Sequence, residues 1–159
     1  MPHFDPAFID NIRSHSESEE LLPGAQPDTF AAVENSIAHE LPPSFKEFIT
    51  HINGGVVVGS IRLFGIGRDD YLDFAEKLKE YGSFIPPIEA RVMLPFASDW
   101  GGGLYCFDTY HPSEDGEYPI WYWNHEYSEE PADAPYVWSQ VQTGFATFIR
   151  QQCTIKDGG

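Results

Sequence analysis

Apolar residues recur at helical spacing in several stretches of this chain and alternate at strand spacing in others. Near the start, Phe8, Ile9 and Ile12 share one face of a short helix that Asp5 caps and Pro6 opens. Phe30, Val33 and Ile37 predict a second helix, capped by Asp28 or Thr29 and ended by Leu41, Pro42 and Pro43. Phe45, Phe48, Ile49 and Ile52 then fall at i, i+3, i+4 and i+7, an apolar stripe that must face a core, and Asn53, Gly54 and Gly55 stop it. Tyr71, Phe74, Ala75 and Leu78 give a further helix, opened by Asp69 and Asp70 and closed by Gly82, after which Pro86 and Pro87 forbid more helix. Val141, Phe145, Phe148 and Ile149 predict a closing helix over 139–152.

The period changes between these helices. Ile61 and Leu63 alternate with Ser60 and Arg62 in a β-branched stretch that reads as one or two strands, with Gly65 and Gly67 at a turn or bulge. Residues 91–97 read as a strand, 99–103 as a turn and 104–108 as the returning partner. After a loop at 111–117, residues 118–124 alternate as a third strand with two apolar faces, and Pro119 restricts it to a strand start or an edge. Acidic and serine residues with Pro23, Gly24 and Pro27 make 14–27 a surface connection. The pattern predicts a single α+β domain: a mostly antiparallel sheet with helices packed on one face and a closing C-terminal helix. Its expected organisation is an N-terminal helix and connection at 1–27, the main domain at 28–152 and a C-terminal tail at 153–159, of which 156–159 should fray.

Charge changes this picture from fold to partner. The chain has 159 residues and a formal net charge of −16, and it holds no lysine or arginine between Arg91 and Arg150. A domain of this length buries roughly 70% of the surface its unfolded form exposes, so no staple is needed. The cation-free block interleaves nine acids with Trp100, Tyr105, Tyr118, Trp121, Tyr122, Trp123 and Tyr127, aromatics that bury enough area to order an otherwise disorder-like composition. A fixed negative field attracts a basic partner and repels nucleic acid and anionic lipid. Cys106 and Cys153 lack ligand-like spacing, the N-terminus is too polar for a signal peptide, and no apolar run is long enough for a membrane. Free thiols and a cytoplasmic location are therefore expected.

Candidate chemistry is sparse. His3, His15, His39 and His51 have no second ligand at i+3 or i+4, and His125–Glu126 lacks an HExxH continuation, which argues against zinc. His111 and His125 sit in the acidic block, where protonation would tune binding rather than catalysis. Ser98 and Asp99 precede Gly101, Gly102 and Gly103, but the context is strand, turn, strand and not a nucleophile elbow. The same glycines lack the Lys, Arg or helix start of a phosphate loop, and the oxygen-rich loop from 108 to 117 lacks calcium-loop spacing. Cys106 lies mid-strand among apolar residues, a packing position. No catalytic residue, metal or cofactor is expected. Trp121, Tyr122 and Trp123 are assigned to the core, whereas Trp100, in a turn, is the candidate exposed anchor.

Several of these blocks, in this order, resemble the SMI1/KNR4 family, the core of the SUKH superfamily, from about Phe30 to Ile149. Leu41, Pro42, Pro43, Ser44, Phe45, Lys46, Glu47 and Phe48 are similar to that family's helix start, and Asn53, Gly54 and Gly55 to its stop. Leu94 to Asp99 with the glycines and Leu104 resemble a second block, the run from Tyr118 to Glu126 a third, and Phe145 with Phe148 the final helix. Trp100 stands where the family more often has a small residue. The resemblance implies an α+β fold without catalytic residues. For bacterial members it implies immunity proteins that neutralise a cognate toxin, often a nuclease or deaminase of a polymorphic toxin system. For fungal members it implies regulatory scaffolds of cell-wall synthesis.

The resulting expectation is a monomer or weak homodimer that covers a cognate basic toxin, or another basic protein, with its acidic surface. The expected partner-binding residues are Asp99, Trp100, Asp108, Glu114, Asp115, Glu117, Glu126, Tyr127, Glu129 and Glu130. The alternative is a regulatory scaffold for a cellular partner.

Overall fold

Phe45 meets four other phenylalanines, which fixes where the elements lie. Its ring stands 5.2 Å from Phe145 and 5.3 Å from Phe107 in edge contacts, with Phe74 and Phe96 slightly farther off. Burying each such ring contributes about 1.5–3 kcal/mol. The computed structural model describes residues 3–14, 24, 26–57, 61–68, 72–99, 101–125 and 137–157.

Helix α1 (Pro6–Ser14) starts as its sequence requires, with the Phe8 and Ile9 amides donating to the Asp5 carbonyl and Ile9 and Ile12 buried. Phe4, just before it, packs edge-on against Phe48 and Phe145, so the N-terminal segment shares the main core. Helix α2 (Pro27–Ile37) is entered through Gln26 with no side-chain cap; Asp28 lies in its first turn and neither Asp28 nor Thr29 caps it. Proline at the first helical position already supplies a helical φ and lacks an amide to satisfy. The helix ends at Ala38, left-handed at φ 63°, ahead of the expected stop at Leu41. Helix α3 (Pro43–His51) buries Phe45, Phe48 and Ile49, and Ile52 follows just past its end, also buried.

Among the described residues six strands form one antiparallel meander in which each pairs with its neighbour in sequence: β1 (Gly55–Val57), β2 (Ile61–Leu63), β3 (Met93–Ser98), β4 (Leu104–Asp108), β5 (Ile120–Trp123) and β6 (Trp138–Gln142). Helices α4 (Phe74–Gly82) and α5 (Pro86–Glu89) lie between β2 and β3, and α6 (Phe145–Asp157) closes the chain. The α+β class, the antiparallel sheet and the closing helix all agree with the sequence pattern. Pro119 precedes β5, consistent with its restriction to a strand start.

Three local expectations are corrected. The cap of α4 is Asp73, whose carboxylate accepts from the Glu76 amide at 3.1 Å; Asp69, Asp70 and Tyr71 lie outside the described residues. Pro86 and Pro87 do not forbid helix; Pro86 opens α5, because the first helical turn needs no amide donor. Residues 139–152 are not one helix. The stretch Trp138–Gln142 pairs with β5 as a strand, Gly144 separates it from α6, and Val141 is exposed rather than on a buried helical face. The open side of β5 supplies ladder hydrogen bonds that outweigh the helical spacing of Val141 and Phe145.

Cross-strand register sorts the side chains. Tyr105 opposite Tyr122 and Phe107 opposite Ile120 share the face on which Phe96, Phe145 and Phe148 pack, so α3 and α6 cover one side. Leu104 opposite Trp123 and Cys106 opposite Trp121 point to the other side, where Phe84, from the α4–α5 connection, reaches Trp123 at 6.3 Å. The connection between α4 and α5 therefore reaches the face opposite α3 and α6.

Candidate partner-binding site

The turn between β3 and β4 is built around one carboxylate. Asp99 Oδ1 accepts from the Gly101 and Gly103 amides at 2.9 and 2.8 Å, and Oδ2 accepts from the Tyr122 hydroxyl at 2.6 Å. An aspartate that bonds amides two and four residues on is an Asx-type turn, so the acid before the glycines holds the turn closed. Gly103 is required by contact: an added Cβ would lie 2.0 Å from the Tyr122 oxygen. Gly102 adopts φ 93° with the His125 ring 3.2 Å from where its Cβ would be, so the turn rests on the end of β5.

The connection between β4 and β5 is organised by two further acids. Asp108 is buried, its Oδ1 accepting from the Tyr110 amide at 3.0 Å and its Oδ2 lying 2.7 Å from Nδ1 of the exposed His111. Glu117 reaches back to the start of α3, accepting from the Ser44 amide at 2.8 Å and the Ser44 hydroxyl at 2.7 Å. That supplies the helix with the N-terminal acceptor that Pro42 lacks. Between them, the Ser113 amide donates to the Glu117 carbonyl and Gly116 turns at φ 82°, which leaves Glu114 and Asp115 exposed at the tip.

The expected site residues thus divide. Asp99, Asp108 and Glu117 direct their carboxylates into the fold, while Glu114 and Asp115 face solvent. Trp100, Glu126, Tyr127, Glu129 and Glu130 lie outside the described residues. Because β4 runs from the glycine turn to the acidic loop, the two regions occupy opposite ends of the sheet, about 17 Å apart for a five-residue strand. His125 and Val137, which flank the second acidic stretch, stand at the glycine-turn end, where the Asn124 amide donates to the Val137 carbonyl. The turn at 99–103 was expected from sequence, but not that Asp99 and Asp108 would bond the amides of their own loops; the Glu117–Ser44 cap joins residues 73 positions apart and left no local signal.

Burial pushes the Cys106 thiol well above its ordinary range, opposite to the direction that makes a nucleophile. Among the described residues no group of His, Cys, Asp and Glu side chains is arranged to hold a metal ion, and no helix is long and apolar enough to cross a membrane. The family model described as SMI1 / KNR4 family (SUKH-1) matches residues 24–151. Among curated proteins, none matches the chain at a significant level.

Proposed function

The chain belongs to the SMI1/KNR4 family, and from that premise we propose that it is a non-catalytic immunity protein that neutralises a cognate toxin by covering the toxin's basic surface. The observation that carries this reading is the cation-free acidic block, with Glu114 and Asp115 exposed on the turn that Asp108 and Glu117 hold in place. A nuclease is the favoured toxin class. Its active site is positively charged to hold phosphates, and carboxylates presented on a rigid loop compete for the same positions. Glu126, Glu129 and Glu130 extend the negative field in the β5–β6 connection, with Trp100 and Tyr127 as anchors. The working location is the cytoplasm, where a toxin of this class meets its substrate.

Co-purification from the native host tests the reading. A basic protein should accompany this chain at low ionic strength, be inhibited by it, and associate more slowly as salt rises. Recovery of an acidic or neutral partner, or association rates independent of salt, would overturn the electrostatic mechanism.

A further inference from the structure

The last strand of the sheet, β6, has β5 on one side and no strand on the other among the described residues. Ser139, Gln140 and Val141 are all exposed, Val141 to 41%. Natural edge strands are blunted by proline, by charge, by extreme shortness or by a bulge. The sequence Trp138-Ser139-Gln140-Val141-Gln142 carries no proline and no charge, and its bulge is confined to Val141, so Trp138, Ser139 and Gln140 keep regular pairing with Trp123, Tyr122 and Trp121. The opposite edge is no such template: β1 has three residues and begins on Gly55 at φ 122°.

The ladder also fixes which groups β6 offers. The Asn124 amide bonds to the Val137 carbonyl, so antiparallel alternation makes Tyr122 and Ser139 the next bonded pair. Trp138 and Gln140, in the intervening pairs, direct their amides and carbonyls away from β5. At one end of this edge Gln142 pairs with Ile120, where the acidic β4–β5 loop enters β5. Glu117 Cβ lies 4.0 Å from where a side chain on Gly144 would begin.

We propose that β6 is the docking edge for an extended, lysine- or arginine-bearing segment of the partner protein, which adds a seventh strand to the sheet. Main-chain bonds to Trp138 and Gln140 give the register, and the acidic β4–β5 loop, on a chain of net charge −16, selects positive charge. A second copy of this chain is disfavoured as occupant, because it brings another net charge of −16 to the same edge. The proposal rests on the acidic-surface reading above and deepens it by naming how the partner lies.

The test is amide exchange read by NMR at low salt, with two octapeptides of equal charge: alternating Lys-Val, which can form a strand, and alternating Lys-Pro, which lacks half its donors. Lys-Val should slow exchange of the Trp138 and Gln140 amides about tenfold, and Lys-Pro should not. Gln140→Pro removes an amide outside the ladder and should abolish the effect, whereas Gln140→Ala should keep it. If Gln140→Pro fails to fold, the peptide pair still decides. Binding of both peptides without protection of β6 overturns strand addition and leaves the acidic surface standing. Failure of both to bind overturns the two readings together, and protection that rises with protein concentration alone overturns the choice of occupant in favour of a second copy.

Discussion

Tyr122 donates its hydroxyl to Asp99 Oδ2 at 2.6 Å through the space that Gly103, lacking a side chain, leaves open. The bond joins β5 to the β3–β4 turn, so one phenol holds the shape of a loop on another hairpin. Tyr122→Phe should lower stability by about 1.5–3 kcal/mol, the range for a hydrogen bond to a charged group. Gly103→Ala displaces the same hydroxyl, so the double variant should cost less than the sum of the two. Urea denaturation of the four proteins in the cycle checks this, and full additivity would separate the glycine from the bond.

Glu117 is expected to behave as a cap for α3. Glu117→Gln and Ser44→Ala should each destabilise by about 1–2 kcal/mol, and together by little more than either alone. Thermal unfolding of the single and double variants is the measurement. If Glu117→Gln leaves the melting temperature unchanged, its carboxylate is not holding the helix.

The exposed tip should separate binding from folding. Glu114→Gln with Asp115→Asn is expected to leave stability within about 0.5 kcal/mol, as for surface changes away from structural contacts. The same pair should slow association with the co-purified partner several-fold at low salt and much less at high salt. Stopped-flow association across a salt series reads the difference.

High pH should destabilise the fold from within. Burial raises the Tyr81, Tyr105 and Tyr118 phenols above their ordinary 10.0, and the Cys106 thiol well above its ordinary 9.0. The folded protein therefore holds protons that the unfolded chain releases, so this contribution is complete below the ordinary values and is lost as pH rises through the folded ones. Urea midpoints should fall from about pH 9 upward. Cys106→Ala should remove the earliest part of that fall, at a neutral-pH cost of about 1 kcal/mol; an unchanged alkaline limb would contradict it.

How much of this was readable beforehand depends on the range of each interaction. The α3 stripe of Phe45, Phe48, Ile49 and Ile52, the start of α1 at Pro6 and the β3–β4 hairpin follow from residues a few positions apart, and they stand as the sequence implied. Strand β6 was hidden because Val141 and Phe145 also satisfy a helical period, and only the open side of β5 decides between the two. In the site, the acidity of the block was plain, but its division was not. Asp108 and Glu117 look like surface charge until the Tyr110 amide and Ser44 are brought to them.

The meander has a consequence for the order in which the molecule assembles. Each strand pairs with the one made just before it, so the sheet can grow strand by strand while the chain is still being synthesised. Phe45, Phe96 and Phe107, however, wait for Phe145 on α6, which emerges after every strand of the sheet. A chain stopped at Gly144 would carry a nearly finished sheet with its aromatic face open to water, the form in which a nascent β protein aggregates. Emergence of α6 is thus the step that closes the aromatic core over the sheet.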